Sequence, residues 1–285
     1  MIFIAENINI MSKTIGQAIR EKDKKPIQEM AVKLAENGAH YLDLNLGPAR
    51  KSGDEMMEWL VKTVQEVVSL PLSLDTTNPV AIEAGLKVAK EQPLINSISA
   101  QKERLEKTLP LAKKYEASFI ALLLTDAGIP RTAEERAEVF FQLYNAAMEI
   151  GIPGENIWVD PLVLPVAVDQ KQVVAFVDFL KILPELTGES FKTTCGLSNV
   201  SNGSPKELRH ILNLYYAAIL NFNGLSSAIV DGLETDFLNK LETFDQYNDL
   251  TSWVSSLLSK EQEEANKTIK ALNNEVLYCH SWLEL

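Results

Sequence analysis

Short apolar runs alternate along the whole chain with segments whose apolar residues recur at helical spacing. Eight runs read as strands: IFIAE at 2–6, YLDLN at 41–45, PLSLD at 71–75, PLINS at 93–97, FIALLL at 119–124, NIWVD at 156–160, FKTTCG at 191–196 and SSAIVD at 226–231. A helical pattern follows nearly every one, and the strand runs recur at a spacing of roughly 25 to 40 residues. This βαβα alternation predicts a (β/α)₈ TIM barrel or a doubly wound sheet.

Several helix starts carry their own chemistry. Asn78-Pro79 offers a capping side chain followed by proline at the first helical position. Thr132 to Glu135 and Ser204 to Glu207 each fit the capping box, the second with Pro205 in its first turn. The segment 54–68 places Met57, Leu60, Val61, Val64 and Val68 on one face, as an outer barrel helix requires. Residues 233–275 predict the last barrel helix and one extra C-terminal helix. Their surplus apolar residues, such as Trp253, Leu257 and Leu258, point to a homodimer contact.

Composition narrows the class. A chain of 285 residues with 46% hydrophobic and 23% charged residues can bury a large core. No stretch rich in Pro, Gly and Ser marks a linker, so one domain spanning 1–285 is expected. The net charge of −12 argues against nucleic acid and anionic membrane surfaces, which reward basic patches. The opening MIFIAENINI is interrupted by Glu6 and does not read as a signal peptide. No apolar run reaches the length of about 18 residues that suggests a membrane helix. Cys195 and Cys279 form no C-x-x-C motif, and His40, His210 and His280 are scattered. A cytoplasmic protein with no zinc site and no disulfide scaffold is expected.

The informative polar residues are positional. Glu6 follows IFIA, Asp43 and Asn45 lie in YLDLN, and Asp75 ends PLSLD. Asn96 ends PLIN, Asp160 ends NIWVD, Asn199 follows the seventh strand and Asp231 closes the eighth. In a TIM barrel the C-terminal strand ends converge on one bowl, so these groups would face one another. Taken singly, Asp43 and Asp231 fit a helix cap or loop bond, and Asp75 could cap the helix that Thr77 and Asn78 also compete to cap. Asn96 in an apolar strand end must find partners or cost about 1–3 kcal/mol. No Gly-rich loop or basic cluster accompanies the strand ends, which disfavours a phosphate ligand. Oxygen ligands leave a divalent cation open. So is a heterocycle with a donor-rich edge, which a carboxylate can grip with two charge-assisted bonds while an amide reads mixed edges. The residues alone give a polar ligand in a barrel.

The segments LDLNLGP (42–48), LSLDTTNPVAIEAGL (72–86), LINSIS (94–99), DPLVLP (160–165) and GLSNVSNG (196–203) resemble the pterin-binding methyltransferases. Within them the resemblance is closest to methyltetrahydrofolate:corrinoid-protein methyltransferases, and it covers nearly the whole chain. It implies that Asp75, Asn96 and Asp160 hold the pterin ring and that Asn199 stands beside N5, the nitrogen that carries the methyl group. Gly196 and Ser198 would line the same loop, with Glu6 and Asp43 as neighbours. The implied substrate is tetrahydrofolate or its 5-methyl form, and the implied partner is a corrinoid protein carrying the cobalamin, in acetogenic or demethylating one-carbon metabolism. Asn199 and Asp160 are the implied catalytic residues, Asp160 as a proton source through water. No histidine sits at these strand ends, and the sequence marks no acid there with a shifted pKa. Two departures stand out. Asn7 replaces an arginine in Ala5-Glu6-Asn7-Ile8-Asn9, and the loop after Asn199 lacks its usual arginine, leaving Lys206 or Arg209 to meet the aminobenzoate-glutamate tail. The competing readings are dihydropteroate synthase, a non-catalytic pterin-binding barrel, and a hydrolase using Asp75 and Asp160 as a carboxylate pair.

Overall fold

The structure, a computed structural model, describes residues 1–279 and 281. Its centre is eight parallel strands: β1 (Ile2–Asn9), β2 (Tyr41–Gly47), β3 (Leu72–Thr76), β4 (Leu94–Ser99), β5 (Ser118–Leu122), β6 (Ile157–Asp160), β7 (Lys192–Thr193) and β8 (Ser227–Val230). Each pairs with its sequence neighbour from β1 to β7, and β1 also pairs with β8. A parallel bridge between Gly196 and Ile229, with a 2.8 Å bond from Ile229 N–H to the Cys195 carbonyl, brings the ring close to closure. A doubly wound sheet would reverse its strand order. This one does not, and the fold is a (β/α)₈ barrel.

The strand alternation sorts the side chains into two sets. One parity, including Phe3, Leu42, Leu44, Leu74, Phe119, Val159 and Ala228, packs outward under the helices. The other forms a small separate cluster inside the ring: Ile4, Leu94, Ile120, Trp158 and Ile229, with Ile2 and Tyr41 against it. Two residues further along stand Glu6, Asp43, Asn96 and Asp160 on the same strands, with the exposed Asp231 just past the end of β8. The barrel interior is therefore an apolar plug capped by a polar layer at the C-terminal strand ends.

The outer layer comprises α1 (Lys13–Glu21), α2 (Lys24–Glu36), α3 (Gly53–Gln65), α4 (Pro79–Leu86), α5 (Lys102–Lys107), α6 (Leu109–Lys114), α7 (Ala133–Glu149), α8 (Gln170–Thr187) and α9 (Lys206–Asn221). It continues through α10 (Thr235–Glu242), α11 (Leu250–Ser256) and α12 (Ser259–Leu272). Met57, Leu60, Val61 and Val64 of α3 are buried as their spacing predicts, whereas Val68 lies beyond the helix end. Asn78 caps α4. Thr132 caps α7, while Glu135 reaches the Arg131 N–H instead of completing the box.

Two expectations are corrected here. Ser204 does not cap α9; its hydroxyl shares a 2.7 Å hydrogen bond with the Tyr278 hydroxyl, and Pro205 occupies the cap position. The C-terminal region holds three helices, not two. Trp253 is not a surplus surface residue: it is 2% exposed and packs edge-on against Phe244, with ring centroids 4.9 Å apart. Leu258 alone of the three named residues is strongly exposed, at 75%. The apolar residues of α11 and α12 complete the barrel's own outer layer over α9. Among the described residues no helix is long and apolar enough to cross a membrane.

Candidate functional site

The polar layer is held by several separate hydrogen-bonded groups. Asp43 is fully buried and accepts from Ser73 Oγ at 2.5 Å and from Asn96 Nδ2 at 3.0 Å. Asp75 and Asn96 are register partners on β3 and β4, so their side chains stand side by side. Asn45 donates its amide to Asp75 and accepts the Gly47 N–H at 2.9 Å. The strand pairing shifts register between Ala5 and Ile8 of β1, between Asn45 and Gly47 of β2, and between Ile95 and Ile98 of β4. Irregularities of this kind re-aim side chains at barrel rims. Here they fall at Glu6, Asn45 and Asn96.

On the far side Asp160 ends β6 and is 7% exposed. One of its oxygens accepts the Leu162 N–H at 2.8 Å, and Leu162 is held at a φ of 69°. Leucine rarely adopts that left-handed backbone, so the Pro161-Leu162 turn needs outside support. Arg136 of α7, wholly buried, supplies it by donating from Nε to the Pro161 carbonyl at 3.0 Å and from a terminal nitrogen to Gln172 at 2.9 Å. The second Asp160 oxygen makes no hydrogen bond among the described residues.

Asn199 sits on a short 3₁₀ turn, Leu197–Ser201, after β7. Its side chain is exposed, and its oxygen accepts from Asn202 Nδ2 at 3.1 Å. Its amide N–H groups make no hydrogen bond among the described residues. Gly196 lies under that amide: a Cβ there would come within 2.9 Å of Asn199 Nδ2. Ser198 faces Glu6 across the rim.

Crowding carboxylates in a buried ring raises their pKa values, because desolvation and like charge both disfavour ionisation. Glu6 is pushed up to about 7 by burial, then by Asp43 and Asp231, against a hydrogen bond from Ser198. Asp160 is pushed up to about 7 by burial, against the Leu162 N–H and Arg136. Asp43 and Asp75, which influence each other, are both raised by burial; Asp43 and Glu6 push Asp75 further, and Arg104 opposes them. The sequence marked no shifted acid at these strand ends. The structure holds four.

The ring brings together Glu6, Asp43, Asp75, Asn96 and Asp160, with Gly196, Ser198 and Asn199 on its rim. Asp231 is exposed and behaves as a loop residue, accepting from Asn7 Nδ2 at 2.6 Å and from the Leu233 N–H at 2.9 Å. Asp43 does not fit the loop reading, since it is the buried hub. Asn45, named among the strand-end residues from sequence, supports Asp75; sequence reasoning missed Ser73 and Arg136 as supports, and Arg104 above all. Strand parity could have found Ser73, which lies two residues from Asp75. Nothing local marks the arginines. A cavity of about 340 Å³ runs from Glu6 and Ser198 past Lys206, Arg209 and His210. A larger one of about 800 Å³ lies at the opposite barrel end, lined by Pro93, Lys113, Asn156 and Lys192, and does not reach the carboxylates.

A donor-rich, flat heterocycle suits this bowl: carboxylates below, an amide at one edge, no cation in the ring itself. Comparison with known proteins agrees in kind. The chain is 29% identical over 243 residues to the methylcorrinoid:tetrahydrofolate methyltransferase of Eubacterium limosum, covering 85% of this chain and 89% of that one. It is 28% identical over 252 residues to the methionine synthase of Mycobacterium leprae, covering 85% of this chain and 21% of that much longer protein. The fold matches a DHPS of Yersinia pestis with a pterine–sulfa conjugate at a TM-score of 0.62 and 18% identity, covering 86% and 93% of the two chains. It also matches the dihydropteroate synthase of Xanthomonas albilineans with 4-aminobenzoic acid at 0.63 and 17%, covering 90% and 93%. The family described as pterin binding enzyme matches residues 7–231, which hold every strand-end residue of the ring except Glu6, and this chain belongs to that family.

Proposed function

We propose that the protein transfers a methyl group between N5 of tetrahydrofolate and the cobalt of a corrinoid protein. The observation that carries this reading is the asymmetry of the bowl. The half-buried Asp75 and Asn96 and the buried Asp160 form a wall able to grip a pterin's aminopyrimidine edge, while Asn199 presents a free amide donor at the open rim. The substitution at N5 needs a group that favours the departing lone pair. An amide N–H facing N5 strengthens as that lone pair forms, so it stabilises the transition state more than the ground state. In the opposite direction the nitrogen attacks a methyl group on cobalt, and the same amide must let its lone pair go. Asp160, with one oxygen held by the Leu162 N–H and a pKa near neutrality, is suited to hold or release a proton through a water.

The cobalt arrives on a second protein, so the rim must accept a macromolecule. Met11 and Val168, in the segments before α1 and α8, stand 84% and 76% exposed, and Val80 in the first turn of α4 stands 58% exposed, an apolar border suited to such a contact. The dihydropteroate synthase reading has only the shared fold behind it, since likeness at 17–18% identity speaks to architecture alone.

The test is turnover. Purified protein mixed with tetrahydrofolate and methylated corrinoid protein, or free methylcobalamin, should convert the methyl-cobalt spectrum while 5-methyltetrahydrofolate accumulates by mass spectrometry. Tight pterin binding with no transfer to or from any corrinoid would leave a binding barrel and overturn the proposal.

A further inference from the structure

Arg104 lies on α5, outside the ring, yet its side chain reaches back over the ends of β3 and β4. One terminal nitrogen donates to the Thr77 carbonyl at 2.8 Å and the other to the Ser97 carbonyl. Thr77 is two residues past Asp75, and Ser97 is the residue after Asn96. The guanidinium therefore clips together the two backbone segments that aim the paired Asp75 and Asn96 side chains. A planar fork with fixed donors suits bridging two carbonyls; a lysine offers a point charge without that geometry.

The same group sets the field at Asp75. Glu6 from β1 and Asp43 from β2 push Asp75 toward its neutral form, and Asn45 of β2 donates to it without charge. Arg104 is the cation that opposes them, with Glu103 beside it on α5. Its outer side borders a cavity of about 300 Å³ shared with Thr77, Thr108 and Asp126.

We infer that Arg104 is a positioning residue, which locks the β3 and β4 ends into one binding edge and sets a positive charge beside Asp75 against the crowding of its carboxylate neighbours. The inference rests on the pterin reading of the site, but half of its test does not. The carboxyl carbon of Asp75 is followed by NMR across pH in the ligand-free wild type, Arg104→Gln and Arg104→Lys, and tetrahydrofolate binding is measured by calorimetry over the same range.

In Arg104→Gln the Asp75 midpoint should rise by about one unit or more, the size expected for losing a close opposite charge. Its pterin affinity should fall at neutral pH and recover in part above the new midpoint. Arg104→Lys should keep most of the wild-type midpoint while its affinity still falls, since the charge remains and the two-carbonyl bridge does not. An Asp75 midpoint unmoved in Arg104→Gln overturns the inference whatever the affinity. If wild-type protein fails to bind tetrahydrofolate, the pterin reading falls, and the ligand-free titration still decides whether Arg104 governs Asp75.

Discussion

Asn96 donates its amide to Asp43 at 3.0 Å across the end of β3, although the two residues stand 53 positions apart. The contact fixes which way Asn96 faces. With one N–H committed to Asp43, its other N–H and its oxygen make no further hydrogen bond among the described residues. Asp43 is in turn anchored by Ser73, so the fully buried carboxylate acts behind the binding wall.

Asp43→Ala should therefore weaken pterin binding although Asp43 need not touch the ligand. Losing a buried acceptor shared by two donors is expected to cost about 1–3 kcal/mol. Combined with Asn96→Ala, the effects should be less than additive, because both changes break one network. Calorimetry on the four proteins of the cycle reads this directly, and strict additivity would show that the two residues act apart.

Asp75→Ala and Asp160→Ala should each weaken tetrahydrofolate binding by about 1.5–3 kcal/mol, the worth of a hydrogen bond to a charged group. Neither should unfold the barrel, since both side chains cap the apolar plug and do not belong to it. Unchanged affinity in both variants would move the pterin site elsewhere.

Asn199→Ala should lower the methyl-transfer rate far more than the affinity. Removing one preorganised donor typically costs roughly 10²–10³ in rate. Gly196→Ala tests the same amide from beneath, because the added Cβ would sit 2.9 Å from Asn199 Nδ2 and displace it. Stopped-flow traces of methylcobalamin formation or loss, beside a binding titration, separate the two quantities. Equal losses in rate and affinity would make Asn199 a plain binding residue.

The raised carboxylates make ligand-free stability depend on pH in an uncommon direction. Glu6 moves from 4.5 to about 7 and Asp160 from 3.8 to about 7, so in that interval the folded chain holds more protons than the unfolded one. Stability must then fall as pH rises through the window. The melting temperature should be higher at about pH 5 than at about pH 8. Saturating pterin should narrow the difference, because its N–H groups favour the charged carboxylates. A melting temperature that rises steadily over this range would show that these acids are ionised in the free protein.

The sequence by itself determined the eightfold strand–helix alternation and the identity of its polar layer, while the observed strand order decided for a barrel over a doubly wound sheet. Eight strand runs with helical segments between them leave few topologies, and period-two alternation carries the apolar parity Ile2-Ile4, Tyr41, Leu94 and Trp158 directly into Glu6, Asp43, Asn96 and Asp160 on the same interior face. Those are local properties, written in spacing that neighbouring residues enforce. Tertiary structure decided the rest. Only packing shows that Asp43 is a buried hub while Asp231, equally a strand-end aspartate, is a solvent-facing loop residue. Only packing sends Trp253 inward and brings Arg104 and Arg136 from helices to the backbone around Asp75, Asn96 and Asp160. The same holds for the shifted acids. A carboxylate's pKa depends on how much water and which charges surround it, and those surroundings come from residues tens to hundreds of positions away, which no local pattern records.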